Sequence, residues 1–226
     1  MSELKKGICI ISTTLILFII LIVLLKCVDV KALYDCDSIG LAGLNKTYYK
    51  EYNKVIEIIS DVLFYIVIAF NVFLIVLYAI DLAKTKSIKS GYKFYVYFGI
   101  LALGIVLWLL FDKVICINTR PYAKDGIVEG SFPSTHIFLT TYIMLASPYL
   151  FLKMEGNKGL EKANKLGFEE IITIIMLVVV LAMTILRLYS GMHWLTDCFG
   201  GLLLGSFLFG VFYLLICIIK NKKSQE

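Results

Sequence analysis

RLYSGMHWLTDCFGGLLLGSFLFGVFYLLICII, residues 187–219, joins two very different kinds of sequence without a break. Its second part, Cys198–Ile219, is a charge-free run of 22 residues. At about 1.5 Å per helical residue, that length crosses a hydrocarbon core of roughly 30 Å. Its first part crowds Arg187, Ser190, His193, Thr196 and Asp197 against the edge of that run. Charged side chains are costly next to hydrocarbon and usually turn toward an internal polar site. One helix of this chain therefore belongs in a membrane and starts beside polar machinery.

The rest of the chain is built the same way. Gly7–Leu25 and Val62–Ile80 are charge-free runs of 19 residues, and Phe94–Phe111 is one of 18. Ile137–Leu152 and Ile171–Leu186 have 16 residues each and continue into polar flanks. With 60% hydrophobic and 17% charged residues among 226, a soluble domain could not bury so much apolar surface. The reading is an all-α polytopic membrane protein with six transmembrane helices, forming a single domain over residues 1–226. The first run follows a charged start, as a signal peptide would. It is long for that role and lacks a small-residue cleavage site, so an uncleaved anchor is expected.

Lysines and arginines set the topology. The larger share of the 22 falls near the termini, in the second-to-third connection and in the loop Phe151–Gly167. The positive-inside rule then puts both termini in the cytoplasm of a cell (plasma) membrane. The net charge of +5 reads as this topology signal plus some affinity for anionic lipid, not as a nucleic-acid footprint. The first outer loop, Val28–Lys54, suits either a short interfacial helix with tyrosines at headgroup level or a solvated loop. Cys27 and Cys36 share it and would pair only in an oxidising compartment with suitable geometry. The Asn45-Lys46-Thr47 sequon carries little weight. Asn71 is expected to bond between helices, and Gly201, Gly205 and Gly210 to admit close helix packing. Asp61 and Asp81 read as boundary residues, and Glu129 and Asp125 as acidic neighbours of the basic groups.

Three polar segments gather at one face. Asp112–Pro121 closes the third span, Phe132–His136 opens the fourth, and Arg187–Asp197 joins the fifth to the sixth. Both histidines of the chain lie in them. Odd spans end and even spans begin on the outer side, so all three segments reach the same extracytoplasmic face. Lys113, Arg120 and Arg187 supply fixed cations; a guanidinium fork fits two phosphate oxygens and an ammonium acts as a point charge. Ser134 follows Pro133 at a helix start, where free N–H groups attract anions. Such a cation set is what a phosphoryl transition state requires. His193 and Asp197 are four apart and share a helix face, which makes His193 the nucleophile and Asp197 its orienter. His136 is left as the general acid. No Cys-x-x-Cys pair or His-rich tract points to a metal, and no cofactor is expected.

These segments resemble the type 2 phosphatidic acid phosphatase family, integral membrane lipid phosphatases that share a site architecture with vanadium haloperoxidases. The family pattern Lys-x6-Arg-Pro is matched by Lys113 through Arg120-Pro121. Pro-Ser-Gly-His is matched by Pro133-Ser134-Thr135-His136, and Ser-Arg-x5-His-x3-Asp by Arg187 through His193 and Asp197. The resemblance implies phosphate binding by Lys113, Arg120, Ser134 and Arg187, with Thr135 lining that pocket, and a phosphohistidine on His193. Thr135 stands where the family has glycine and Leu186 where it has serine, changes expected to tune selectivity. The implied substrate is a membrane lipid phosphomonoester or diphosphate: undecaprenyl diphosphate first, then phosphatidylglycerol phosphate or phosphatidate. The competing class is a non-catalytic transporter or scaffold that keeps the motif as a phosphate-binding shell.

Overall fold

The computed structural model describes residues 2–34, 36–85, 91–123, 129–151 and 168–223. Most of the loop Phe151–Gly167 and Asp125 lie outside them, as do the side chain of Asp81 and those of Glu169 and Glu170. Its elements are α1 (Glu3–Cys27), β1 (Lys31–Leu33), β2 (Cys36–Ile39), α2 (Ala42–Tyr48), α3 (Lys54–Thr85), α4 (Tyr92–Leu109), α5 (Thr135–Phe151), α6 (Phe168–Tyr189) and α7 (Leu195–Lys223). The chain is a helical, multi-pass membrane protein. Among the described residues five helices, α1, α3, α4, α6 and α7, are long and apolar enough to cross a bilayer. The remaining predicted span is α5, with 17 described residues, and it lies against α7 and α6 inside the bundle.

Local chemistry sets the helix ends. Ser2 caps α1 by accepting from the Lys5 N–H. Asn53 caps α3 in the same way, its Oδ1 accepting from Val55 N at 3.0 Å and Ile56 N at 3.1 Å. At α7 the side chain of Asp197 reaches back to the Trp194 N–H at 3.0 Å, the reciprocal half of a capping box. Past Leu109, α4 widens into one π-helical turn over Leu110–Ile115, and Cys116 ends it at φ 40°.

Close approaches to α7 organise the bundle. A Cβ on Gly201 would lie 2.9 Å from the Ser134 carbonyl oxygen, and one on Gly205 2.6 Å from that of Phe138, so only glycine lets α5 sit this near. A Cβ on Gly210 would lie 2.9 Å from Ile10 Cγ2. With Tyr213 bonded to Glu3, α1 thus runs antiparallel to α7 and both termini share one face. As predicted, Asn71 bridges helices: Tyr97 donates to its Oδ1 at 2.8 Å. Tyr97, Tyr142, Phe138 and Phe212 are wholly buried, and Tyr142 donates to the Tyr97 carbonyl at 2.7 Å. Outward residues of α1, α3 and α6, among them Ile16, Ile66 and Leu181, are more than half exposed, an apolar perimeter suited to lipid.

The loop between α1 and α3, expected as a short interfacial helix or a solvated loop, contains a short helix and a hairpin besides. It folds as an antiparallel hairpin, β1 with β2, followed by the two-turn helix α2. The loop is fastened to the bundle rather than solvated. Asn45 is fully buried, donates to the Gly40 carbonyl at 3.0 Å, and accepts from the N–H and hydroxyl of Thr196 at 3.3 and 3.2 Å. Cys36 is also buried, its Sγ 3.1 Å from the Arg120 carbonyl oxygen, while Cys27 is exposed; the two thiols are unbonded. Trp194 packs with Cys36, Ile39 and Ala42 in a small separate core.

Candidate active site

The three polar segments converge at the bundle end opposite the chain termini. Arg187 comes from the last turn of α6, His193 from the tight connection to α7, and Asp197 from the first turn of α7. Gly191, at φ 72°, makes that connection tight; a side chain there would strike the Lys50 and Glu51 backbone at 2.7 Å. Asn53 N donates to the Ser190 carbonyl at 3.0 Å, which pins the start of α3 beside it.

His193 lies between a carboxylate and a guanidinium. Its Nδ1 is 3.7 Å from Asp197 Oδ2, and its Nε2 is 3.4 Å from Arg187 Nη2. The side chain is 4% exposed. Burial first, then the cations of Arg187 and Arg120, hold its imidazole well below the usual histidine range, so the ring is neutral. Asp197 is fully buried, and its other oxygen accepts from Asn118 Nδ2 at 3.1 Å. The carboxylate is thus fixed at both oxygens before it meets the imidazole.

The Arg120 and Ser134 segments close the other sides. Arg120 N donates to the Glu129 carbonyl at 3.0 Å and Ser131 N to that of Asn118 at 2.9 Å, a short antiparallel bridge that presents Arg120. Arg120 Nε is also 3.2 Å from Glu129 Oε2, so the acidic neighbour read from the sequence is in place. Ser134 N donates to the Asp197 carbonyl at 3.1 Å. Its hydroxyl is completely buried and among the side-chain groups without a hydrogen bond, as is Arg187 Nε. Arg120, Thr135, Asp112 and His193 line one pocket, with Trp108 and Phe111 as its apolar wall.

His136 stands at the second position of α5, a quarter exposed, with Nε2 3.3 Å from Asp61 Oδ1. The same oxygen accepts from Arg187 Nη1 at 3.1 Å, and Ser60 Oγ accepts from that nitrogen at 3.1 Å. Asp61 is therefore no mere boundary residue. It touches two of the motif side chains. Lys113 departs the other way: its side chain is 67% exposed and its ammonium sits on Asp112, 2.7 Å away. The π-helical turn that contains it sends the side chain outward at the rim while Asp112 lines the pocket. Trp194 is 1% exposed and donates to the Thr119 carbonyl at 2.8 Å. The contacts of Asn118 and Asp61 had no motif to announce them, and each joins residues far apart in sequence.

Comparison with known proteins bears on the motif-bearing stretch and on the fold. Residues 111–218, the stretch that contains all three segments, match the PAP2 superfamily. The chain is similar in fold to a transmembrane PAP2-type phosphatidylglycerolphosphate phosphatase from Bacillus subtilis. The two share 17% identity at a TM-score of 0.58, over 95% of this chain and 96% of that one. A search of curated proteins gives no match. The fold and site define a membrane protein built on the helical core of PAP2-type phosphatases. The likeness to the type 2 phosphatidic acid phosphatase family is one of the motif-bearing stretch 111–218 and of the fold.

Proposed function

We propose that this protein is a lipid phosphatase of the cell membrane that acts through a phosphohistidine on His193. One observation carries the reading: a buried imidazole with Asp197 against one nitrogen and a guanidinium against the other. The phosphoryl group would sit where Arg187 Nη2 meets His193 Nε2, its equatorial oxygens facing Arg187, Arg120 and the Ser134 hydroxyl. Nε2 attacks phosphorus, the P–N bond forms and the P–O bond to the lipid breaks. His136 gives its proton to the departing oxygen. Water then attacks phosphorus, His136 takes the proton back, and inorganic phosphate leaves with His193 restored. Asp197 stabilises the positive charge that the ring gains. Lys113 would join the anion from the rim by swinging off Asp112. With cations supplied by side chains, hydrolysis is expected to proceed in EDTA.

The substrate is a phosphomonoester or diphosphate whose tail stays in lipid, with undecaprenyl diphosphate favoured over phosphatidylglycerol phosphate and phosphatidate. Residues 1–226 act as one domain, with both termini in the cytoplasm and the site at the extracytoplasmic face. The test is a phosphate-release screen of the detergent-solubilised protein over these lipids and sphingoid phosphates, with EDTA and with vanadate. Release that His193→Ala abolishes supports the reading. Tight vanadate binding without turnover of any lipid would instead mark a phosphate-binding scaffold.

A further inference from the structure

We infer that Asp61 is a positioning residue for His136, holding the proton donor to its task from a helix that carries none of the three motif segments. The inference rests on the phosphatase reading above. Asp61 lies in the second turn of α3, and its Oδ1 meets His136 Nε2 at 3.3 Å and Arg187 Nη1 at 3.1 Å. One turn further along the same face, Phe64 lies against the His136 ring, with centroids 4.3 Å apart and planes at 48°. Two side chains of α3 thus fix the imidazole, one by its nitrogen and one by its face. The start of α3 is itself held, by the Asn53 cap and by the bond from Asn53 N to the Ser190 carbonyl.

The charges around His136 say why a carboxylate belongs there. Arg187, His193 and Arg120 all act on it electrostatically and oppose a positive charge on the ring. A donor that must carry a proton beside two guanidiniums needs a negative partner, and Asp61 meets it directly. During the reaction the proton passes from His136 to the leaving oxygen as the P–O bond breaks. Asp61 neither takes nor gives a proton; it holds the ring aimed at that oxygen. The plainer role, a counterion for Arg187 alone, does not use the contact with His136, and it makes different predictions.

Asp61→Asn in the full-length protein, assayed in detergent, separates them. A lipid phosphate leaves as a poor alkoxide and needs the acid, whereas p-nitrophenol leaves without one. The variant should lose about 10- to 100-fold in kcat on the lipid, part of the 10²–10⁴ a general acid supplies, and less than about threefold on p-nitrophenyl phosphate. In a His136→Ala background the same change should cost nothing further on the lipid. Asp61→Glu keeps the charge for Arg187 but moves the carboxylate. It should show a smaller loss with the same leaving-group selectivity, and it serves if the asparagine variant does not fold. A loss that falls equally on both substrates, resides in KM and persists without His136 would overturn the inference. So would wild-type kcat on the lipid in either variant. If His193→Ala still turns over, the phosphatase reading itself fails, which is a distinct result.

Discussion

Asn118→Ala isolates the support beneath the His193–Asp197 pair. Asn118 is 2% exposed and donates to Asp197 Oδ1 at 3.1 Å, while the other carboxylate oxygen already accepts from Trp194 N. A hydrogen bond to a charged group contributes about 1.5–3 kcal/mol, and the lost amide leaves Asp197 one bond short where water does not readily reach. Unfolding in mixed micelles should therefore show a loss in that range. Catalysis should fall as well. Asp197 meets an imidazole that becomes positive only as the P–N bond forms, so a carboxylate free to turn supports the transition state less than the ground state. At about 1.4 kcal/mol per tenfold, surrendering half of the bond there lowers kcat/KM by roughly three- to tenfold. Asn118→Asp, which sets a second carboxylate against Asp197, should be worse on both counts. Titration of unfolding with denaturant and a phosphate-release assay read the two effects. Wild-type values of both in Asn118→Ala would refute the claim that Asp197 is held from this side.

Two further outcomes follow from packing and charge. Gly205→Val places side-chain atoms where a Cβ already meets the Phe138 carbonyl oxygen at 2.6 Å. It should cost about 1–3 kcal/mol in unfolding and lower activity, because α5 carries His136 and α7 carries Asp197. The depressed proton affinity of His193 keeps its ring neutral as pH falls through about 6.5, which ¹⁵N imidazole shifts should report. The unfolded chain binds that proton and the folded one does not. Stability from this group is therefore present above about pH 6.5 and lost below it, by at most about 1.4 kcal/mol per pH unit; His193→Gln should flatten the slope.

The fold and much of the site could be read from residue order because their signals are local. An apolar run of about 20 residues declares a span by itself, and Arg187, His193 and Asp197 stand within eleven positions of one another. Asn71 and the α7 glycines were legible for the same reason, each being an exception inside a uniform run. Asp61 was not. A single carboxylate at the start of a helix has many ordinary uses, and its contact with Arg187 crosses 126 positions. Asn118 meets Asp197 across 79. Lys113 was found by spacing, yet spacing counts residues and not helical phase, and the π-helical turn changes that phase. The β1–β2 hairpin escaped because strands of three and four residues leave almost no periodic trace.

Asn45 has a practical bearing on how this protein is made. It emerges 151 residues ahead of Thr196, the group it finally grips, and it begins a sequence that oligosaccharyltransferase recognises. A host that decorates nascent chains with sugars would have time to modify that amide if the loop enters its lumen. No glycan fits a side chain with zero exposure, both ends of which are engaged. Production in such a host would leave this loop unseated from α7, whereas a bacterial host, or Thr47→Ala in place of any change at Asn45 itself, keeps the latch to Thr196 intact.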